Sequence, residues 1–246
     1  MAKKITILQC EDNGYCAGHW AGMLWPEADI RFISPAKLIE GERLKTTADH
    51  ILFMPGIPAK TYRQALGQSG AAVIKRFVDH GGTYVGLCGG GMYAADTIVY
   101  HDKITKGLGL FSGRAYGSLQ EITGYRYDRK NPRSVGLTGV ALKNGKSVHL
   151  FYAGGAKFSD FDENRVTVLA RYASVDQGRA PAVIESRYGA GRVFLLGVHP
   201  DINAHVFDQS SHALHDNING LLMELKNRET ERVYFDRYFK QAVSPR

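Results

Sequence analysis

Short apolar runs alternate with segments of helical periodicity through the first hundred residues of the chain. The runs predicted as strands are residues 4–9, 29–34, 50–54 and 83–87. The intervening segments that favour helices are residues 15–25, 35–40 (a short helix or a turn) and 71–80. Because strands that alternate with helices pair in parallel and are covered on both faces, this half of the chain predicts an α/β fold with a parallel sheet.

The second half of the chain is richer in predicted strands. These strands are residues 146–152, 166–172, 182–188 and 193–196. A tight hairpin turn, Tyr188-Gly189-Ala190-Gly191-Arg192, joins the last two of them. Residues 102–143 are rich in glycine, tyrosine and arginine and match no single element. The pattern therefore predicts a β-rich insertion in the second half.

The C-terminal region has the spacing of a long helix over about residues 212–240, in one or two pieces. No repeat, low-complexity segment or linker interrupts the sequence. We therefore expect residues 1–246 to form a single domain.

The most distinctive segment is a strand-to-helix turn around a cysteine. Thr83 to Leu87 is its strand, and Ala94 and Ala95 are expected in the first turns of the helix that follows. Between them, Gly86-Leu87-Cys88-Gly89-Gly90 is the cysteine form of the G-x-S-x-G nucleophile elbow. Such a turn leaves no room for flanking side chains. It also presents its central residue at a helix N-terminus, where backbone N–H groups favour a thiolate.

Cys88 has a structural alternative, because many cysteines are simply small buried hydrophobes. The buried strand before Cys88 and the small residues after it favour the elbow, since this context is what distinguishes the motif.

Composition and charge exclude several classes of protein. Hydrophobic residues make up 44% and charged residues 22% of the chain, as in ordinary globular proteins. The net charge is +7, but the basic residues are scattered, so we expect neither a nucleic acid nor a membrane as partner. The three cysteines (Cys10, Cys16 and Cys88) include no C-x-x-C pair, which predicts a reducing compartment. With no signal peptide and no apolar run near the ~20 residues of a membrane span, we expect a cytoplasmic protein.

A cysteine nucleophile needs a base, and the base needs an orienting acid. Among nine histidines, His199 is singled out because it follows the apolar strand 193–196 and precedes Asp201 by two residues. Since the carboxyl ends of parallel strands meet at one sheet edge, Cys88 and His199 are expected to meet there. Taken alone, His199 can equally be a loop histidine without a partner. His212 and His215 have metal-ligand spacing, but no third ligand accompanies them, so we expect no metal and no cofactor.

A Pro-Gly turn follows a third strand, at Pro55-Gly56-Ile57. Its backbone N–H groups can complete an oxyanion hole with that of Gly89. The alternative is an ordinary turn, for which Pro-Gly is common.

Taken together, these segments resemble the N-terminal domain of eukaryotic-type biotin–protein ligases, which belongs to the class I glutamine amidotransferase-like superfamily. The resemblance spans most of the chain. The segments that carry it are Pro55-Gly56, Tyr62, and residues 77–93, 152–155, 188–192 and 199–201.

The resemblance implies a flavodoxin-like open, mostly parallel sheet and a Cys-His-acid triad. By position, Cys88 is the nucleophile, His199 the base and Asp201 the orienting acid. The implied oxyanion donors are Gly56, Ile57 and Gly89. Two departures stand out: Asp201 replaces the usual glutamate, and Gly89-Gly90 replaces bulkier residues. The chain has no Gly/Arg-rich biotinyl-adenylate loop, so ligation itself is not expected of these residues.

The first functional hypothesis is a thiol-dependent amide hydrolase or amidotransferase, with an amide substrate and an acceptor or synthetase protein as partner. The second is a catalytically silent module that binds a small molecule or regulates a partner. A third, a redox-sensing or deglycase-type relative, does not need His199 and Asp201. The candidate pocket residues are Tyr62, Tyr93, Tyr116, Tyr152, Gly154, Gly155 and Lys157. The tyrosines can instead be half-buried sheet residues.

Overall fold

The computed structural model describes residues 3–10, 14–40, 44, 49–208 and 217–244. In chain order its strands are β1 (Lys4–Leu8), β2 (Asp29–Ile33), β3 (His50–Met54), β4 (Thr83–Leu87), β5 (Ala95–Tyr100), β6 (Lys103–Lys106), β7 (Phe111–Gly117), β8 (Val135–Leu142), β9 (Ser147–Ala153), β10 (Lys157–Ser159), β11 (Val166–Tyr172), β12 (Pro181–Tyr188) and β13 (Gly191–Leu196). Its α-helices are α1 (Tyr15–Leu24), α2 (Pro35–Ile39), α3 (Ala59–Asp79), α4 (Gly89–Ala94), α5 (Gln120–Thr123), α6 (Ala204–Asp208), α7 (Asn217–Asn227) and α8 (Glu229–Val243).

Two sheets organise these elements. The larger has nine strands in the order β2-β1-β3-β4-β13-β12-β11-β8-β9. Strands β2, β1, β3, β4 and β13 run parallel, and β12, β11, β8 and β9 extend them by antiparallel pairing. The smaller sheet has the order β10-β7-β5-β6 and joins three strands from the middle of the chain to β10. The predicted flavodoxin-like α/β fold is thus confirmed.

Helices cover both faces of the parallel strands because side chains alternate along them. In β3, Ile51 and Phe53 point to the face covered by α1 and α8, where Phe53 meets the edge of Trp20. Leu52 and Met54 point to the opposite face, which is covered by α2, α3 and α4. This two-sided burial explains the nearly continuous apolar runs of β3 and β4.

Several predicted boundaries differ from the structure. The prediction that Ala95 lies in a helix is wrong, because α4 ends at Ala94 and Ala95 opens β5. Helix α3 begins at Ala59 rather than residue 71, and it contains a break at Gly67, where φ is +53°. The unassigned residues 102–143 contain β6, β7, α5 and β8.

The predicted C-terminal helix is two helices, α7 and α8, with Arg228 between them. Its predicted start at residues 212–216 lies outside the described residues. Across the described segments, no helix combines the length and the apolar character needed to span a membrane.

Candidate active site

Cys88 occupies a strained turn at the carboxyl end of β4. Its backbone angles are φ +46° and ψ −109°, a region that non-glycine residues rarely adopt. Two hydrogen bonds hold it there: its N–H donates to the Leu196 carbonyl (2.7 Å), and its carbonyl accepts from the Met92 N–H (2.8 Å). The second bond begins helix α4, so the cysteine stands directly at that helix's N-terminus.

The surrounding glycines are required by close backbone contacts. A Cβ on Gly89 would lie 1.6 Å from the Ile57 carbonyl oxygen, and one on Gly90 would lie 2.1 Å from that of Met54. A Cβ on Gly86 would lie 2.6 Å from the Gly90 carbonyl oxygen. The turn can therefore close on itself, and pack against β3 and the 55–58 loop, only when these positions carry no side chain.

His199 is delivered by β13, the parallel neighbour of β4. The register pairs Leu196 with Leu87, so both chains leave the sheet side by side. The His199 N–H donates to the Phe151 carbonyl (2.7 Å), and its imidazole Nδ1 lies 3.1 Å from Asp201 Oδ1. His199 and Asp201 are both buried, 7% and 4% exposed.

Cys88, His199 and Gly56 meet at one point. A Cβ built on Gly56 would lie 2.4 Å from His199 Cε1 and 3.3 Å from Cys88 Cβ. Glycine at position 56 therefore leaves the space that the imidazole occupies beside the cysteine. Cys88 is 9% exposed, so this meeting point retains a narrow opening.

The charge balance of this group is reflected in the pKa of His199. Burial lowers the pKa, but the Cys88 and Asp201 charges and the hydrogen bonds to both side chains outweigh it and raise the pKa from 6.5 to about 10. The balance of these effects favours the protonated imidazole, which lies beside the Cys88 sulfur and the Asp201 carboxylate.

The 55–58 loop supplies backbone N–H groups beside Cys88. The Pro55 carbonyl accepts from the Ile57 N–H (3.0 Å) and from the Tyr62 hydroxyl (2.7 Å), which fixes the turn. No carbonyl of the described residues accepts from the Gly56 N–H. The Gly89 N–H opens α4, where helical N–H groups lack intrahelical partners. Gly56 and Gly89 are thus better placed as donors to a ligand than Ile57.

Three of the four predicted pocket tyrosines, Tyr62, Tyr93 and Tyr152, are buried. Tyr62 and Tyr93 stack on each other, with ring centroids 5.6 Å apart. The Tyr152 hydroxyl accepts from the Leu119 N–H (2.6 Å) and donates to the Gly155 carbonyl (3.1 Å). These three buried rings support the backbone that surrounds Cys88.

Gly154 and Gly155 permit further close contacts beside the sulfur. The Cys88 thiol donates to the carbonyl of Ala153 (3.5 Å), the residue before Gly154. A Cβ on Gly154, whose φ is +70°, would strike the Tyr127 ring at 2.4 Å, and one on Gly155 would lie 1.8 Å from the Gly197 carbonyl oxygen.

Tyr116 and Lys157 contact each other outside this group. Tyr116 is 44% exposed, and the Lys157 ammonium lies 5.6 Å from its ring centroid. Lys157 also forms an ion pair with Asp176 (2.7 Å).

Sequence reasoning missed two tyrosines. Burial raises the pKa of Tyr127 to about 12, and the Cys88 charge adds to the rise. Burial likewise raises the pKa of Tyr100, again with a contribution from Cys88. Both hydroxyls therefore lie within electrostatic reach of the sulfur. The repeated Tyr-Arg pattern at residues 125–127 was the available signal, but it lay in the segment that matched no element.

Cys10 and Cys16 form no disulfide with each other or with Cys88. Cys10 is buried. Burial raises the pKa of Cys16 to about 12, and the nearby Asp201 charge contributes. No group of three or more metal-ligating side chains occurs among the described residues, and His212 and His215 lie outside them.

Comparison with known proteins bears on both family and fold. Residues 15–243 match the family described as "Biotin-protein ligase, N terminal". The biotin–protein ligase of Schizosaccharomyces pombe is 28% identical over 185 residues, covering 71% of this chain and 29% of that protein. An uncharacterized protein of Chlamydia muridarum is 29% identical over 169 residues, covering 64% of this chain and 62% of that protein. The chain thus spans less than two thirds of either relative.

One solved structure resembles the chain over its whole length. It is a glutamine amidotransferase of Thermotoga maritima, which superposes with a TM-score of 0.61, covers 100% of both chains and is 12% identical. The likeness establishes a shared glutamine amidotransferase-like fold.

Proposed function

Because the chain belongs to the biotin-protein ligase N-terminal family, we propose that it is a thiol-dependent amide hydrolase or amidotransferase with Cys88 as nucleophile. The observation that carries the proposal is the meeting of three groups: a cysteine in a strained elbow, a buried histidine beside it, and a carboxylate on Nδ1 of that histidine. Such a group has the donors and charges needed for acyl transfer.

The first step is attack on a carboxamide carbon. The imidazolium of His199 stabilises the Cys88 thiolate, and Asp201 holds the ring through Nδ1. The sulfur forms a bond to the carbonyl carbon, and the carbonyl oxygen becomes an oxyanion. Gly56 and Gly89 donate their N–H groups to this oxygen, and one such donor contributes about 3 kcal/mol of transition-state stabilisation.

The second step releases the amine. The carbon–nitrogen bond breaks, and His199 gives its proton to the departing nitrogen. A thioester remains on Cys88. Water then attacks this thioester, with His199 now accepting its proton, and the acid leaves as the thiolate reforms. When the amine is ammonia, an amidotransferase would pass it to an acceptor on a partner protein.

The proposal is tested with primary carboxamides. Ammonia release is measured for wild type, Cys88→Ala and Asp201→Asn, and intact mass spectrometry at short times detects the thioester. We expect Cys88→Ala to abolish release, and Asp201→Asn to lower it by about a hundredfold or more because the ring loses its orientation. Cys16→Ser is the matched control and should retain turnover. Ammonia release that persists unchanged in Cys88→Ala would contradict the proposal.

A second candidate is a binding module without turnover. It is favoured by the limited exposure of Cys88 (9%) and by the hydrogen bond that its thiol already donates to the Ala153 carbonyl. A metabolite that copurifies with wild type and with Cys88→Ala, seen by native mass spectrometry, would support this candidate.

A further inference from the structure

Tyr62 lies in the first turn of α3, next to the 55–58 loop. Its side chain is 0% exposed and packs in the core between the sheet and helices α2, α3 and α4. A side chain without exposed surface affects the site only through the groups that it bonds, so the hydroxyl and its acceptor are the parts that matter.

The Tyr62 hydroxyl holds one carbonyl and, through it, one N–H. It donates to the Pro55 carbonyl oxygen (2.7 Å). This oxygen and the Gly56 N–H belong to one peptide unit, which is planar and trans, so the two groups point in opposite directions. Because the carbonyl points to the buried hydroxyl, the Gly56 N–H points away from it.

The Gly56 N–H is the donor that this loop has left for a ligand. Residues 55 and 58 are prolines, so the loop has two N–H groups, those of Gly56 and Ile57. The Ile57 N–H already donates to the Pro55 carbonyl (3.0 Å), whereas no carbonyl of the described residues accepts from Gly56. Gly56 is half-buried, so it retains surface that a ligand can reach.

Gly56 also lies where the reacting groups meet. A Cβ on Gly56 would lie 3.3 Å from Cys88 Cβ and 2.4 Å from His199 Cε1. A carbonyl group attacked by the Cys88 sulfur therefore lies next to this peptide, and its oxygen becomes negative during the attack. An N–H that faces this oxygen stabilises it, whereas a carbonyl oxygen in the same place would repel it.

The backbone of the turn does not by itself fix which of these two groups faces the site. Glycine adopts φ values of either sign at little cost, so the Pro55–Gly56 peptide has the freedom to rotate. The hydrogen bond from Tyr62 opposes this rotation, because the bond would have to break.

We propose that Tyr62 is a positioning residue of the oxyanion hole: by holding the Pro55 carbonyl, it directs the Gly56 N–H at the oxyanion. Its ring stacks on Tyr93 from α4, the helix that begins with the second donor, Gly89. The two tyrosines thus connect the two elements that carry the donors. This inference rests on the proposed function, because it names a residue that supports the same site.

Two reactions of Cys88 separate this role from a general effect on the site. With iodoacetamide, the sulfur bonds to the methylene carbon and iodide leaves, so no oxyanion forms. With p-nitrophenyl acetate, the sulfur bonds to the carbonyl carbon and the carbonyl oxygen becomes an oxyanion. The carbon–oxygen bond to nitrophenolate then breaks, and an acetyl thioester remains on Cys88. Peptide mass spectrometry follows both modifications of Cys88 over time, and the acetylation-to-alkylation rate ratio is compared between variants.

In Tyr62→Phe this ratio should fall about tenfold. The value lies between about twofold, for the loss of one hydrogen bond, and about a hundredfold, for the loss of an oxyanion donor. The alkylation rate should stay near that of wild type. Over a series of ester concentrations, the maximal acetylation rate should fall while the half-saturating concentration stays the same, because the oxygen carries its negative charge only as the sulfur attacks.

Tyr172→Phe is the matched control. Tyr172 is likewise 0% exposed, and its hydroxyl also donates to a backbone carbonyl, that of Ala156 (3.0 Å), outside the 55–58 loop. Both variants lose the same group from the protein interior, so urea denaturation should show similar losses of stability. Only Tyr62→Phe should change the ratio.

The outcomes separate the two proposals. If both reagents modify Cys88 faster than Cys16 but Tyr62→Phe leaves the ratio unchanged, the inference is overturned and the proposed function stands. An equal fall of both rates in Tyr62→Phe, or an equal fall of the ratio in Tyr172→Phe, also overturns the inference. If neither reagent modifies Cys88 faster than Cys16 in wild type, the proposed function fails and the inference fails with it.

Discussion

At the scale of single residues, Cys88 depends on a backbone conformation that its neighbours impose. A non-glycine residue in such a region costs about 1–3 kcal/mol and persists only where the surroundings over-determine it. Here the Leu196 carbonyl and the first turn of α4 hold the backbone, and glycines at positions 86, 89 and 90 allow the contacts. Strain at this residue is consistent with a site built for chemistry.

The first prediction at the residue scale concerns the pKa of His199. Its pKa of about 10 results from charges on Cys88 and Asp201 that outweigh burial, which lowers it. Cys88→Ser removes the larger of the two charge contributions and should therefore lower this pKa. Histidine NMR over a pH series measures the value. Cys10→Ser, which removes a thiol that does not act on His199, is the control. An unchanged His199 titration in Cys88→Ser would show that the two groups are not coupled.

The same pKa predicts how stability varies with pH. A histidine whose pKa is raised by folding stabilises the protein fully below its unfolded value of 6.5, and that contribution is lost as the pH rises through about 10. The free energy of unfolding of wild type relative to His199→Gln should therefore be larger at low than at high pH. Urea denaturation of both proteins at either end of this range measures the difference. If the free energy of unfolding of wild type relative to His199→Gln increased with pH, the result would contradict this account.

At the scale of elements, strands with continuous apolar runs were the most predictable. The bounds of β3, β4 and β11 match the predicted residues, because five to seven apolar or β-branched residues between turn signals leave little choice. Ala95 was misassigned because Ala94-Ala95 favours helix locally, whereas pairing of β5 with β7 decides the outcome. The start of α3 was missed because its first half is polar and contains Gly67.

The elbow helix α4 supports an element-scale prediction. Gly89→Ala places a methyl group 1.6 Å from the Ile57 carbonyl oxygen, so the 55–58 loop must move or the turn must open. We expect a loss of about 1–3 kcal/mol or more in the free energy of unfolding. Gly220→Ala is the matched control, since a Cβ there meets nothing within 4 Å in helix α7, and it should stabilise the fold by about 0.5–1 kcal/mol. If urea denaturation showed equal changes in the free energy of unfolding for the two substitutions, the close contact between Gly89 and Ile57 would be contradicted.

At the scale of the whole molecule, the sequence could suggest the site but not assemble it. Cys88 and His199 are more than a hundred residues apart, and they meet because β13 pairs with β4. The order of strands in a sheet is not encoded in any local pattern. Tyr127 comes from residues 102–143, which match no single predicted element, and Tyr100 ends β5, a strand that the sequence pattern did not predict; neither was therefore foreseen.

The C-terminal end of the chain gives a prediction at this scale. The Arg192 guanidinium pairs with Glu185 (2.7 Å) and donates to the Ala242, Val243 and Ser244 carbonyls at the end of α8. Arg192→Met removes these bonds and leaves the Glu185 carboxylate without this cation. Because the pair is part-buried, we expect a loss below the about 3–5 kcal/mol of a fully buried pair, but well above about 0.5 kcal/mol.

Arg187→Met is the control for this prediction. Arg187 is paired with Arg192 in the β12–β13 ladder but is exposed, so its replacement should change stability by less than about 0.5 kcal/mol. Thermal and urea unfolding of both variants measure the difference. Comparable small effects would mean that Arg192 does not anchor the C-terminal helix.

The central claim is that His199 activates Cys88 as a nucleophile, and alkylation of the three cysteines tests it most directly. Iodoacetamide is applied at about pH 6, where an ordinary thiol is almost wholly protonated, and each site is quantified by peptide mass spectrometry in wild type and His199→Ala. The account predicts that Cys88 reacts far faster than Cys16, whose pKa is raised to about 12, and that His199→Ala slows Cys88 markedly. If Cys88 reacts no faster than Cys16, or equally fast without His199, the two residues do not form a catalytic pair.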